Sequence, residues 1–292
     1  MKDQMERYYF DYNIYEKISK ENMRIDSEFL QHNNIFLSVA HIEEYYKAYK
    51  NDVENLNRVS LENLKNIMIE ISKKRIILNP TKNSRIHAKS ETFDECYGII
   101  EKYDTRDIVE NDGQEINKLE KIVVDSLREE DSIAKYNSTL GKEEIWERPE
   151  VINGISEFSG FYNIYNSICF DRLVSVYGVN GAKKGITVLP KDFKLCKDCF
   201  KNYVPNFHLL EMVIEYLHKI LNRCGFHRDK EVRKTISGIH DVSHSIYATY
   251  CNYFVTLDIN FRKRVEAIYY YLGLETEVRS FDDIEKYFIK TQ

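Results

Sequence analysis

The chain has 292 residues, 43% of them hydrophobic, enough to bury a sizeable core in one large domain or two ordinary ones. Charged residues make up 30%, yet the formal net charge is only −5, so any basic surface for nucleic acid must be local. No apolar run approaches the roughly 20 residues that span a bilayer, and the opening MKDQMERYYFDYN lacks the apolar stretch of a secretory signal. Six scattered cysteines read as reduced thiols. The expectation is a cytoplasmic protein without a membrane partner.

The first predicted strand is Tyr8–Phe10, which ends at Asp11, with Asn13 two residues on. A helix-like stretch covers about 14–31. The β-branched and apolar run Ile35–Val39 reads as a second strand. A helix carrying Glu43 and Glu44 follows from about His41. From 51 to 229 the texture turns mainly helical. Leu56, Val59, Leu64, Ile67, Met68 and Ile71 recur at helical spacing, and residues 116–136 repeat the pattern. GVNGAKKG, residues 178–185, reads as a loop, because Gly185 follows the lysines where a phosphate-binding loop needs Ser or Thr. Cys196 and Cys199 have zinc-knuckle spacing and could be completed by Cys224 and His227, but no further feature supports a zinc site and free cysteines are expected. Leu210, Val213, Ile214, Leu217 and Leu221 stripe a strong helix, with Gly225 suited to its C-cap. The end of the chain returns to alternation. A helix over 239–251 precedes the strand Tyr253–Thr256 and Asp258; a helix over 261–272 stops at Gly273, and a strand covers 276–280.

Strand–acid–helix units at both ends predict one α/β domain with a central parallel sheet, built from residues 1–50 and 230–292. Residues 51–229 form a mainly α-helical insertion. Strand C-termini share one edge of a parallel sheet, so Asp11, Glu43 or Glu44, Asp241 and Asp258 can converge there. Such acids repel one another unless a cation joins them. Hard oxygen donors favour Mg²⁺ or Mn²⁺, which activate water and neutralise charge developing on a phosphodiester. His41, His240 and His244 flank these acids as candidates for phosphate contact or proton transfer. Arg262, Lys263 and Arg264, with Arg228 and Lys230 of HRDKEVRK, are candidate phosphate clamps.

Three segments resemble PIN-domain nucleases: YYFDYN, LSVAHIEEYYKA and HDVSHSIYATYCNYFVTLDINF. In the last, Asp241, Ser245, Ala248, Thr256, Asp258 and Phe261 fall in step with the family's pattern. The resemblance covers about 7–50 and 235–285. It implies a PIN-like three-layer fold and a metal-dependent nuclease with Asp11, Glu44, Asp241 and Asp258 as ligands, Glu43 being the alternative to Glu44. It further implies that Thr256 supports the site by hydrogen bonding and that Asn13 orients Asp11 or water. Asn260 stands where the family often has another acid, which leaves the set for one metal intact. RNA is the implied substrate, DNA the second choice, and a bacterial toxin or phage-defence effector with a protein partner or antitoxin the implied setting. Two other readings stay open. One is an inactive PIN-like scaffold that binds RNA or protein. The other is an HD-type phosphohydrolase using His240-Asp241 with His208 or His218, which leaves Asp11 idle.

Overall fold

In the computed structural model the described residues are 5–52, 54, 56–73, 75–78, 87–90, 92–102, 131–185, 189, 193–201, 206–228 and 233–290. The sheet begins with β1 (Glu6–Phe10), whose neighbours β3 (Asn33–Ser38) and β6 (Tyr253–Thr256) both run parallel to it. β7 (Glu277–Ser280) extends the sheet beyond β6 in parallel. On the other flank β4 (Arg75–Leu78) joins β3 in parallel, and β5 (His87–Ser90) closes that side antiparallel. The order is β5-β4-β3-β1-β6-β7. The region beyond residue 51 is thus not helical alone: RIIL, flanked by strong helical patterns, supplies a sheet strand.

Alternation along the strands sends neighbouring side chains to opposite faces. Tyr9, Phe36 and Phe254 enter one hydrophobic core, while Tyr8, Phe10, Ile35, Leu37 and Val255 enter another. Both faces are covered, as a parallel sheet requires. On the second face lie α1 (Tyr12–Lys20), α4 (Arg58–Ser72) and α5 (Phe93–Lys102), contributing Ile14, Leu64, Met68 and Phe93. On the first lie α7 (Pro149–Ser156), α9 (Phe207–Arg223), α10 (Arg233–Ala248) and α11 (Ile259–Leu272). α3 (Val39–Asn51) leaves the end of β3 and serves both cores, through Ala40 on one side and Ile42 and Tyr45 on the other.

Local differences from the sequence reading have local causes. The stretch 14–31 divides into α1, a short strand β2 (Met23–Ile25) and α2 (Ser27–His32). Asp26 caps α2 by accepting from the Glu28 N–H, and β2 pairs with the terminal β8 (Phe288–Lys290). Leu56 and Val59 fall before or at the start of α4 and are exposed, Val59 at 86%. GVNGAKKG is not a loop: α8 (Phe158–Gly185) runs through it with one break at Gly178, φ +69°. The helix proposed over 116–136 lies outside the described residues except for α6 (Asp131–Asn137). Gly225 takes φ +80° after α9, with its own N–H bonded to the Asn222 carbonyl and the Phe226 N–H to the Leu221 carbonyl, 3.2 and 2.9 Å.

Candidate active site

After β1 the chain moves to β3 and β4 on one side, then returns through the helices to β6 and β7 on the other. The crevice outside the C-terminal ends of β1 and β6 is therefore a topological switch point, where open parallel sheets bind ligands. Asp11 and Asp258 leave those two strands.

Asp11 is 4% exposed and caps α1. Its Oδ1 accepts the Tyr12 N–H at 2.8 Å; its Oδ2 accepts from Asn13 Nδ2 at 2.7 Å and from the Thr256 hydroxyl at 2.6 Å. Thr256 is buried at the end of β6, and its oxygen also accepts the Asp258 N–H at 3.1 Å. Asn13 Oδ1 reaches across to the Leu257 N–H at 3.3 Å. Asn13 and Thr256 thereby tie the two strand ends together around one carboxylate. Asp258 is half-buried and caps α11, accepting the Phe261 N–H at 2.8 Å.

Two helices close over Asp11. From α10 comes His244, fully buried, with Nε2 3.3 Å from Glu44 Oε2 of α3 and 3.9 Å from Asp11 Oδ1. Asp241 stands one turn before His244. The electrostatics record the crowding. Burial pushes the Asp11 carboxyl up and Glu44 adds to this, against the Thr256 hydrogen bond and the His244 charge. Asp241 is pushed up to about 8 by burial and by the charges of Asp11 and Glu44. Glu43 is raised by burial, with Glu211 and Glu44 adding to it. Burial pulls the His244 imidazole down, but its hydrogen bond to Glu44 and the charges of Glu44, Asp11 and Asp241 more than offset this and leave it raised.

Other candidates stand elsewhere. His41 faces inward: its Nδ1 accepts the Ser38 N–H at 3.0 Å and its Nε2–H donates to the Phe10 carbonyl at 2.7 Å. It is a neutral imidazole linking α3 to β1, held far below its ordinary pKa by burial and by His244. Asn260 hydrogen-bonds the His227 side chain. Arg264 is buried and its guanidinium donates to the His227 carbonyl, which removes it from the set of phosphate clamps. Arg262 lies 3.6 Å and Lys263 2.9 Å from Glu266, and Arg228 is half-buried. The His240 side chain and Lys230 lie outside the described residues. His208 pairs with Glu211 at 3.6 Å, while His218 is buried against Phe261 and Ser245, pulled down to about 3 by burial.

Sequence reasoning missed Tyr9 and Ser38. The Tyr9 hydroxyl lies 2.6 Å from Ser38 Oγ and 2.7 Å from His244 Nδ1, directly beneath the acids. The available signal was a tyrosine in a strand buried on both faces, whose hydroxyl needs a buried partner.

Around Asp11 stand the Thr256 hydroxyl, the Asn13 amide, the His244 imidazole and the Glu44 carboxylate, without a thiolate, and the oxygen donors among them suit a hard divalent cation. Burial is the main lift on Asp11 and Asp241, and the like charges that add to it are what such an ion would relieve. Among the described residues no group of three or more His, Cys, Asp or Glu side chains is placed so that it could hold a metal ion. The cysteines among the described residues are free, and no described helix is long and apolar enough to cross a membrane. Comparison with known proteins matches no family model, no curated protein and no solved structure.

Proposed function

We propose that this chain is a metal-dependent phosphodiester hydrolase of PIN-like kind, cleaving RNA in preference to DNA. What supports the reading is the approach of Asp11 and Glu44 to one imidazole, His244, at 3.9 and 3.3 Å beside the switch point between β1 and β6, with Asp241 one turn away on the same helix as His244 and feeling the charges of both acids. Asp258 stands at the neighbouring strand end, joined to Asp11 through Thr256. Asp11, Glu44, Asp241 and Asp258 are the residues that would hold Mg²⁺ or Mn²⁺. A bound ion would supply an activated water and neutralise charge developing on the phosphodiester. The chain's own part is orientation and charge. Thr256 and Asn13 fix Asp11 Oδ2, and His244 holds a proton on Nε2 toward Glu44. Lys263, Arg262 and Arg228 are the cations that would meet flanking phosphates. The same activity would suit a bacterial toxin or phage-defence effector restrained by a protein partner.

The position of His244 favours a second reading. An imidazolium between Glu44 and Asp11 is an internal counter-charge, so the cluster could also persist in a scaffold that binds RNA without cleaving it. End-labelled RNA and DNA incubated with the purified protein in Mg²⁺, Mn²⁺ or EDTA separate the two. The hydrolase reading expects cleavage of RNA in either metal, its loss in EDTA and its loss in Asp241→Asn. RNA that is bound but uncleaved under every condition overturns it in favour of the scaffold.

A further inference from the structure

Beneath the acids, His244 continues into polar side chains to which the proposed chemistry gives no part. Tyr9, Ser38, His41 and His244 are all buried, in the core between β1, β3 and α10. His41 fixes one end, because its Nδ1 accepts the Ser38 N–H and its Nε2–H donates to the Phe10 carbonyl. Ser38 Oγ lies 3.3 Å from His41 Nδ1 and 2.6 Å from the Tyr9 hydroxyl. The Tyr9 hydroxyl lies 2.7 Å from His244 Nδ1, and His244 Nε2 lies 3.3 Å from Glu44 Oε2. A carboxylate only accepts, so Nε2 of His244 carries a proton. That holds whether Nδ1 donates to the Tyr9 oxygen or accepts from its hydroxyl.

We propose that Tyr9 is a positioning residue: its hydroxyl, set by Ser38, turns His244 so that Nε2–H points at Glu44 and Asp11. The imidazole has two ring nitrogens, with Tyr9 at hydrogen-bond distance from Nδ1 and Glu44 from Nε2. Tyr9 on the inner nitrogen therefore decides which way the outer one points, as outer-shell partners do for the groups they orient. The packing supports the assignment. The Tyr9 ring is fixed against Phe254 at 5.8 Å and His41 at 4.9 Å between centroids, so the hydroxyl is delivered by a rigid strand side chain. Rings of His41 and His244 meet edge to face at 4.6 Å, which closes the remaining space around His244.

This inference rests on the hydrolase reading for its kinetic consequence but not for its geometry. Tyr9→Phe keeps the ring and removes the hydroxyl. The expected result is a fall in kcat of roughly 10- to 100-fold with KM unchanged. In spectra of the metal-free protein labelled with ¹⁵N in histidine, the wild type should show an exchange-protected Nε2–H on His244, and Tyr9→Phe should lose that protection. If Tyr9→Phe does not fold, Ser38→Ala removes the group that sets the Tyr9 hydroxyl and should weaken the same signal. Unchanged His244 resonances in a folded variant overturn the positioning role, whatever the activity. Wild-type protein that cleaves neither RNA nor DNA defeats the hydrolase reading instead, and the spectra still decide the role of Tyr9.

Discussion

Asp11 and Asp258 begin from the same local design and end in different environments. Each follows a buried strand of the same parallel sheet, and each caps the helix that comes next. Asp11 lies under α3 and α10, accepts from three donors, and faces Glu44 and His244. Asp258 is half-buried, and the hydrogen bond of its carboxylate is the helix cap to Phe261. A capping aspartate is thus a placement device that sets a carboxylate at the sheet edge at little cost, since the cap itself is worth about 1 kcal/mol. What packs above it decides whether the carboxylate also becomes part of the structure. Asp11 has become structural, while Asp258 keeps its carboxylate at the rim with the cap to Phe261 as its hydrogen bond.

The largest expected difference is in stability. Asp11→Ala removes the acceptor for the Tyr12 N–H, Asn13 and buried Thr256. It should cost about 2–4 kcal/mol in chemical denaturation, the sum of a lost cap and unpaired buried donors. Asp258→Asn should cost less than about 0.5 kcal/mol, because Asn caps helices as well as Asp. Equal losses at the two positions would break the comparison.

The next effect is pH dependence. The folded pKa of Asp241 is raised to about 8, and those of Asp11, Glu43 and His244 are raised too. A folded state that binds more protons than the unfolded one loses stability as pH rises through the window between the two pKa values. For Asp241 that window runs from the ordinary carboxylate range to about 8. His244 acts in the same direction, its contribution being present below its unfolded value and lost above its folded one. Buried neutral His41 and His218 act in the opposite direction below about pH 6.5, so the acids show alone between pH 7 and pH 8, where metal-free protein should lose on the order of 1 kcal/mol as pH rises. Asp241→Asn should flatten that slope, and urea titrations at the two pH values read it. A wild-type slope of opposite sign would show that the acids at this edge are not crowded.

Much of this arrangement was legible in the sequence, and the reason is local. Tyr8–Phe10 and Tyr253–Thr256 are short apolar runs closed by an aspartate, and both the strand and the cap depend on neighbouring residues only. The strand Arg75–Leu78 was hidden because a run of three apolar residues just after a long amphipathic helix reads as more helix. The three-residue strands β2 and β8 owe their existence to each other across the whole chain. Arg264 looked like its basic neighbours, and only the loop that brings the His227 carbonyl to it shows that it is buried. The Tyr9–Ser38–His244 chain depends on the register of β1 against β3 and on the docking of α10, neither of which a linear pattern encodes.

A smaller effect sharpens the contrast on the activity side. Asp258→Asn should fold like the wild type yet lose most RNA cleavage, whereas Lys263→Ala should leave cleavage at low salt nearly intact. Lys263 is partly exposed and paired with Glu266, so its loss should reduce the salt dependence of RNA binding by about one phosphate contact. Binding isotherms at several salt concentrations measure this. An unchanged slope would remove Lys263 from the nucleic-acid surface.

The central claim, that the edge around Asp11, Glu44 and Asp241 takes up a divalent cation, is tested most directly by calorimetric titration of Mn²⁺ into the metal-free protein at pH 7 in two buffers of different ionisation enthalpy. With Asp241 raised to about 8, that carboxyl is largely protonated at this pH. Ion binding should therefore release about one proton per site, so that the observed heat differs between the buffers. In Asp241→Asn both the binding and the buffer dependence should weaken sharply. Wild-type protein that takes up no Mn²⁺, or takes it up without releasing a proton and as well as Asp241→Asn does, would contradict the account.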